Sequence, residues 1–162
     1  MSIEAVRAYL EPLGLADRIL EFPVSSATVD LAAQAAGVEP GRIAKTLSFK
    51  MEDRVLLILA AGDARVDNKA YKAAFHAKAK MLSPEEVLAA TGHAIGGVCP
   101  FGLPQGHAIE VYTDVSLRRF TTVFPACGSS NSAIELSPEE LYTLSQSRAW
   151  VDVCKLWREA DV

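Results

Sequence analysis

The feature that most constrains the fold is an almost wholly aliphatic run near the middle of the chain. Residues 54–61 consist of one arginine followed by seven aliphatic residues, the composition of a strand at the centre of a sheet. Residues 42–50 also have strand composition, and a short turn at residues 51–53 separates the two runs. We therefore expect the two runs to pair as a β-hairpin at the centre of the domain.

Lys45 lies within the first of these strands, at a position where an apolar residue would be usual. A lysine on a central sheet, or at its rim, loses hydration unless it meets an anion, a carbonyl group or a water-filled cleft. Lysine side chains are mostly exposed in folded proteins, so an outward-facing lysine is the alternative interpretation. If Lys45 does face inwards, its position predicts a ligand pocket.

The length and charge of the chain limit the classes of protein to consider. A chain of 162 residues fits one domain, residues 1–162, with a core large enough to need no disulfides. No apolar run approaches the ~20 residues of a membrane helix, and the N-terminus lacks the layout of a signal peptide, so we expect a cytoplasmic protein. The formal net charge of −4 argues against nonspecific coating of nucleic acid. The three cysteines are widely spaced and odd in number, which predicts reduced thiols.

Apolar periodicity and capping residues predict the remaining elements. The predicted helices are residues 2–13, 29–36, 68–76 and 84–91, with a further helix beginning at residue 137 and a short helix or turn at 114–119. The remaining predicted strands are residues 19–24, 107–112, 120–126, 133–136 and 150–154. Because helices and strands alternate irregularly, we expect an α/β or α+β domain with a mixed, strongly curved sheet.

Two further segments are candidates for binding. Residues 69–80 contain four lysines and no acidic residue, namely Lys69, Lys72, Lys78 and Lys80. This run predicts either a solvated face or a surface for phosphates. Residues 96–104 contain three glycines and two prolines, so this loop either presents bare backbone N–H groups to a ligand or is a plain turn.

The chemistry of these candidate residues limits the reactions that the protein could catalyse. A thiol mechanism at Cys99, with His93 or His107 as base, is disfavoured, because it requires a hydrogen bond to the base and a lowered thiol pKa, and the sequence shows neither. The histidines match no metal motif, and the P-loop and dinucleotide signatures are absent. A lysine near a glycine loop suits an ester beside a phosphate, because the ammonium holds phosphate or ribose oxygens and N–H groups stabilise an oxyanion. Aminoacyl-tRNA is such a substrate.

Several segments resemble the YbaK/ProX family of free-standing aminoacyl-tRNA deacylases, which is related to the editing domain of bacterial prolyl-tRNA synthetases. Residues 43–47 resemble the family's lysine strand, and residues 62–67 resemble the stretch after the next strand. Residues 95–100 fit its GxxxP loop, with Gly96 and Pro100 at the ends, and residues 126–141 look like its last hairpin and helix. The resemblance extends over nearly the whole chain and implies a single YbaK-like domain with a partly barrel-like sheet flanked by helices.

The resemblance implies hydrolysis of mischarged aminoacyl-tRNA in trans, without a metal or other cofactor. It assigns to Lys45 the positioning of the 3′-terminal nucleotide. It assigns ester binding and oxyanion stabilisation to the loop residues Gly96, Gly97, Val98, Cys99 and Pro100. Thr28, Thr46 and Phe49 are weaker candidates for the amino-acid pocket. The attacking water would be oriented by the substrate ribose hydroxyl and by backbone groups, so no protein base is required.

One position departs from the branch of the family specific for Cys-tRNA. An aspartate precedes the final Ile-Glu-Leu in that branch, whereas this chain has Ala133. The departure favours a small amino acid such as alanine or serine, on tRNA(Pro) or a related tRNA. The partners implied are mischarged aminoacyl-tRNA and an aminoacyl-tRNA synthetase, and the oligomeric state stays open. The alternative function is a non-catalytic module that binds the aminoacyl-tRNA end or a synthetase.

Overall fold

The structure is a computed structural model that describes residues 2–106 and 108–158. Its α-helices are α1 Ser2–Leu10, α2 Val29–Ala36, α3 Asn68–Phe75, α4 Pro84–Thr91 and α5 Pro138–Leu144. Its strands are β1 Ile19–Glu21, β2 Ile43–Lys50, β3 Val55–Ala61, β4 Arg65–Val66, β5 Ile109–Asp114, β6 Phe124–Pro125, β7 Ser132–Ile134, β8 Trp150–Val151 and β9 Cys154–Lys155. His107, the first residue of one predicted strand, lies outside the described residues.

The main sheet has five strands in the order β6-β2-β3-β5-β8. Strands β2 and β3 pair antiparallel with Lys45 opposite Ala60, which confirms the predicted central hairpin. The other three pairings, β2 with β6, β3 with β5 and β5 with β8, are parallel. The predicted α/β class with a mixed central sheet is therefore confirmed.

Strand β3 forms the centre of the hydrophobic core. Every residue from Leu56 to Ala61 has at most 1% of its surface exposed, although successive side chains point to opposite faces of the sheet. Both faces of β3 are therefore covered, as its aliphatic composition predicts. No helix in the described part of the chain is long and apolar enough to cross a bilayer.

Several predicted strands are longer than the observed ones, and the largest differences are at residues 120–126 and 150–154. The predicted strand 120–126 shortens to β6 at the edge of the main sheet, where Pro125, which has no N–H to donate, is tolerated. The predicted strand 150–154 divides into β8 and β9, which belong to different sheets. The break falls at Val153, whose N–H donates to the Asp114 carboxylate and whose carbonyl accepts from the N–H of Asp67. Strand β4, which pairs with β9, was not predicted.

Helices α4 and α5 begin with the same capping device. Ser83 accepts a hydrogen bond from the Glu86 N–H while the Glu86 carboxylate accepts from the Ser83 N–H, and Ser137 and Glu140 repeat the arrangement. Glu86 also contacts the Lys50 ammonium at 2.6 Å, which ties α4 to the end of β2. The Lys50 contact and the Ser83 N–H together lower the pKa of Glu86 to about 2.

The lowered pKa of Glu86 predicts a defined dependence of stability on pH. A carboxyl group whose pKa is lower in the folded than in the unfolded chain stabilises the fold at neutral pH, and this stabilisation is lost as the pH falls from the unfolded pKa towards about 2. Glu86→Gln should therefore reduce stability at neutral pH and flatten its loss below about pH 5. Urea titrations at several pH values measure this, with Glu85→Gln as the control in the same helical turn. Parallel pH curves for Glu86→Gln and the wild type would contradict the expectation.

Candidate functional site

A cleft of about 240 Å³ opens beside the middle of β2. Its walls come from five separate parts of the chain. The lining residues are Ser26, Ala27, Thr28, Val29 and Ala32 before and within α2, residues 43–47 of β2, Met81, the loop residues Ile95, Gly96 and Val98, and Phe124, Ala126, Ser132 and Ala133 around β6 and β7. Lys45 is the charged side chain in these walls, and most of the others are apolar.

The cleft lies where the edge of β2 has no neighbouring strand. At one end of this edge, Ile43 and Ala44 pair with β6. At the other end, the Ser48 carbonyl accepts from Leu82 N–H at 3.2 Å, and Lys50 N–H donates to the Lys80 carbonyl at 2.7 Å. Backbone groups of alternate residues point to the same edge, so the N–H and carbonyl of Thr46 point to this edge too. Within the described chain they meet no partner, which leaves a short open stretch of strand edge in the cleft wall.

The Lys45 side chain is half-buried and its ammonium is held by backbone carbonyls. Nζ donates to the carbonyl of Gly62 at 3.4 Å and to that of Ala64. Burial lowers the pKa of Lys45, an effect that the nearby Cys154 and Asp63 oppose and Arg65 reinforces. An ammonium has three donors, so one N–H remains for a ligand.

The two carbonyls that hold Lys45 belong to the connection between β3 and β4. Asp63, which lies between them, accepts two hydrogen bonds from Arg119, at 2.6 and 3.0 Å. The Ala64 N–H also donates to the carbonyl of Ala61. This segment therefore presents its carbonyls to Lys45 from a fixed position.

The glycine loop packs tightly against two neighbouring segments of backbone. A Cβ on Gly96, whose φ of +99° also favours glycine, would lie 3.1 Å from the Ala27 Cβ. A Cβ on Gly97 would lie 2.8 Å from backbone atoms of Gly128 and Ser129. The Gly97 carbonyl also accepts from the N–H of Gly128 at 3.0 Å. The glycines thus allow the loop to approach the turn between β6 and β7.

The loop offers fewer free donors than its composition suggests. The N–H of Gly97 donates to the Ala94 carbonyl at 3.0 Å, so it does not serve an oxyanion. The N–H groups of Gly96 and Val98 find no acceptor among residues 2–106 and 108–158, and both residues line the cleft. The N–H groups of Gly96 and Val98 are therefore available to a ligand.

The second half of the loop turns away from the cleft. The Cys99 side chain is fully buried, with Sγ 3.5 Å from Nε2 of His93, and Nε2 lies 2.7 Å from the carbonyl oxygen of Phe101. Burial raises the pKa of Cys99 to about 12, which suppresses the thiolate. Pro100 lines a different surface cleft, together with Tyr9. His93, which the sequence offered as a candidate base for Cys99, contacts the Phe101 carbonyl and so holds the second half of the loop.

Of the three residues predicted to line the amino-acid pocket, two line the cleft and one does not. Thr28 and Thr46 line the cleft, and the Thr28 hydroxyl also caps α2 by accepting from the N–H of Leu31 at 3.2 Å. Phe49 does not line it, because it points into the core, is 2% exposed and packs against Tyr71 with ring centroids 5.0 Å apart. Ala133, singled out in the sequence, does line the cleft and is 4% exposed.

Two residues that line the cleft, Ser26 and Met81, were not predicted from the sequence. Ser26 is 6% exposed, and its hydroxyl has no hydrogen-bond partner within the described part of the protein. Met81 reaches the cleft from the extended segment that pairs with β2, and it is 63% exposed. Neither residue belongs to a motif, so only the folded arrangement identifies them.

Three of the four predicted lysines surround one surface groove. Lys69, Lys72 and Lys78 line it together with Asn68 and Ala79, and no carboxylate is among the lining residues. Lys80 lies outside this groove but immediately precedes Met81 of the cleft. The chain therefore leads directly from the basic groove to the mouth of the cleft.

The sequence profile of the aminoacyl-tRNA editing domain matches residues 24–144. The chain belongs to this family. The matched residues include every residue that lines the cleft.

Individual relatives support the same assignment. The chain is 58% identical over 158 residues to YwhH of Bacillus subtilis (strain 168), covering 97% of this chain and 99% of that protein. It is 27% identical over 118 residues to a protein of Enterococcus faecalis (strain ATCC 700802 / V583) named "Putative Cys-tRNA(Pro)/Cys-tRNA(Cys) deacylase EbsC", covering 72% and 71% of the two chains. A crystal structure titled as "a putative trans-editing enzyme for prolyl tRNA synthetase" superposes with a TM-score of 0.83 at 33% identity, covering 94% of this chain and 96% of that one.

The burial of Cys99 predicts an unreactive thiol. With a pKa of about 12, its thiolate fraction at pH 8 is on the order of 10⁻⁴. Iodoacetamide should therefore leave Cys99 unmodified in the native protein at pH 8 and alkylate it readily in guanidinium chloride. Mass spectrometry of tryptic peptides measures both reactions. Alkylation of native Cys99 at the rate seen in the unfolded chain would show that this thiol is accessible.

Proposed function

We propose that this protein is an aminoacyl-tRNA deacylase that hydrolyses mischarged aminoacyl-tRNA in trans. The observation that carries the proposal is the meeting of Lys45 and the Gly96 loop in one cleft, although they lie far apart in the sequence. The membership of the aminoacyl-tRNA editing domain family and the name of the relative from Enterococcus faecalis support the same activity.

In the proposed reaction the cleft holds the 3′ end of the tRNA and its ester. The remaining N–H of Lys45 donates to a phosphate or ribose oxygen of the terminal nucleotide. The N–H groups of Gly96 and Val98 donate to the ester carbonyl oxygen, where negative charge develops as water attacks. The bond between the carbonyl carbon and the ribose oxygen then breaks, which releases the free amino acid and regenerates the tRNA hydroxyl.

The proton transfers in this mechanism come from the substrate. Among the described residues that line the cleft there is no aspartate, glutamate or histidine to act as a general base. A ribose hydroxyl next to the ester is close enough to orient the attacking water, as the family resemblance implies. We therefore propose a mechanism in which the substrate ribose hydroxyl takes the place of a protein base and no metal ion takes part.

We propose a small amino acid, alanine or serine, on tRNA(Pro) or a related tRNA, as the substrate. The cleft is narrow, and alanine side chains form much of its wall, including Ala27, Ala126 and Ala133. Ala133 occupies the position at which the resemblance places an aspartate in Cys-tRNA-specific proteins. A cleft of this kind separates side chains that differ by a methylene by only about 10- to 200-fold, so the preference has to be measured on a panel of mischarged tRNAs.

The groove of Lys69, Lys72 and Lys78, extended by Lys80, is the proposed contact for the tRNA backbone. These lysines form a local concentration of positive charge in a protein of net negative charge, and the chain passes from Lys80 directly to Met81 of the cleft. We propose an aminoacyl-tRNA synthetase as a second partner, since trans editing acts on tRNA that a synthetase has released.

Replacement of Lys45 tests the catalytic assignment. Lys45→Ala should reduce the single-turnover rate of ester hydrolysis by about 10²-fold or more, because substrate positioning is lost, while circular dichroism shows an unchanged fold. Lys50→Ala is the matched control, since Lys50 lies on the same strand but its ammonium pairs with Glu86 outside the cleft. Full activity of Lys45→Ala on every substrate would remove Lys45 from the mechanism. Stoichiometric binding without turnover by the wild type would instead identify a non-catalytic binding module.

Replacement of the four lysines tests the proposed tRNA surface. Changing Lys69, Lys72, Lys78 and Lys80 to glutamine should weaken tRNA binding and lower the slope of log K against log salt by up to about 3. The matched control replaces Lys50 and Lys155, and the loss of affinity is compared per charge removed. If binding and salt dependence stay at wild-type values, the four lysines form only a solvated surface.

A further inference from the structure

Two hydroxyl groups in the cleft are buried and have no hydrogen-bond partner in the described part of the protein. They are Ser26 Oγ and Thr46 Oγ1. Ser26 is 6% exposed, and its position is fixed because its N–H donates to the Ser130 carbonyl at 2.6 Å. Thr46 lies at the open stretch of the β2 edge. Two separate segments of the chain thus contribute residues with unpaired hydroxyls to the lining of one cleft.

The other hydroxyls that line the cleft are already engaged. Thr28 Oγ1 accepts from the N–H of Leu31 at 3.2 Å. Ser132 Oγ lies 2.6 Å from Ser129 Oγ, which donates to it. Buried hydroxyls are nearly always paired, and leaving one unpaired is unfavourable. The hydroxyls of Ser26 and Thr46 are therefore the ones that could form new hydrogen bonds to a bound ligand.

The chemistry of the walls indicates which group of a ligand fits. The α-ammonium of an amino acid would meet the like charge of Lys45 in a cleft whose described walls contain no carboxylate. A side-chain hydroxyl is neutral, and it both donates and accepts, so it matches the hydrogen-bonding needs of Ser26 and Thr46. The methyl group of alanine would leave both hydroxyls unpaired.

We propose that Ser26 and Thr46 select aminoacyl groups whose side chain carries a hydroxyl, seryl or threonyl, over alanyl. This inference rests on the proposed function and refines its substrate. A site with polar groups placed for a hydroxyl rejects the analogue that lacks it far more strongly than an apolar pocket rejects a missing methylene. The wild type should therefore hydrolyse Ser-tRNA(Pro) about 10²-fold faster than Ala-tRNA(Pro).

The variants Ser26→Ala and Thr46→Val remove each hydroxyl with little change in side-chain volume. Single-turnover rates are measured on Ser-, Thr- and Ala-tRNA(Pro). Each variant should lower the Ser-to-Ala rate ratio about tenfold, and Thr46→Ser, which keeps the hydroxyl, should restore most of it. Ser132→Ala is the matched control, because its hydroxyl lines the cleft but is already paired, and its rate ratio should stay near that of the wild type.

The possible outcomes separate this inference from the proposed function. Equal losses on Ser- and Ala-tRNA would show that the two hydroxyls hold a group common to all aminoacyl esters, which overturns the inference while the deacylase assignment stands. Equal rates of hydrolysis of Ala-tRNA and Ser-tRNA by the wild-type protein would also overturn the inference.

A second measurement does not depend on turnover. The stable amide analogues 3′-serylamido-adenosine and 3′-alanylamido-adenosine are titrated into the wild-type protein and followed by NMR. Tighter binding of the seryl analogue by about tenfold or more supports hydroxyl recognition even if no ester is hydrolysed, in which case only the proposed deacylase function fails. Equal affinity for the two analogues overturns the inference.

Discussion

The hold of two backbone carbonyls on the Lys45 ammonium is the interaction on which the cleft depends. Half-burial removes part of the hydration of this cation, and the carbonyls of Gly62 and Ala64 replace it. The arrangement requires the β2–β3 register that sets Lys45 opposite Ala60, so that the lysine reaches the connection following β3. It also requires that connection to stay in place, which the ion pair between Asp63 and Arg119 ensures. A charged side chain is thereby fixed in an otherwise apolar wall before any substrate arrives.

The opposite wall of the cleft is built mainly from backbone, and close packing explains how. Gly97 allows the loop to rest on Gly128, and Gly96 allows it to rest on Ala27, at distances that a side chain would not permit. His93 holds the rear of the loop through Phe101. Such a wall presents N–H groups and few side chains, which agrees with a reaction in which the substrate supplies its own proton transfers.

Local patterns predicted the parts of this structure that local interactions determine. The aliphatic run gave the central strand, and both capping boxes marked helix starts, because each depends on neighbouring residues alone. Features set by distant contacts were missed. Phe49 was predicted to line the pocket because the face that a strand residue presents depends on the pairing around it. Ser26 was not predicted because only the folded chain brings it into the lining of the cleft. The strand predicted at 150–154 failed for the same reason, since Asp114 draws Val153 away from the sheet.

The docking of α1 has a consequence for how the protein is made. The hydroxyl of Ser2 donates to the carbonyl of Gly128, 126 positions away, and Tyr9 donates to the carbonyl of Leu144. The cleft itself draws on residues from Ser26 to Ala133. During synthesis on the ribosome, the first helix and the β2–β3 hairpin emerge long before the segments that complete their surroundings. Such distant pairings slow folding, so a partly synthesised chain exposes the apolar cleft wall and completes the cleft only after Ala133 has left the ribosome.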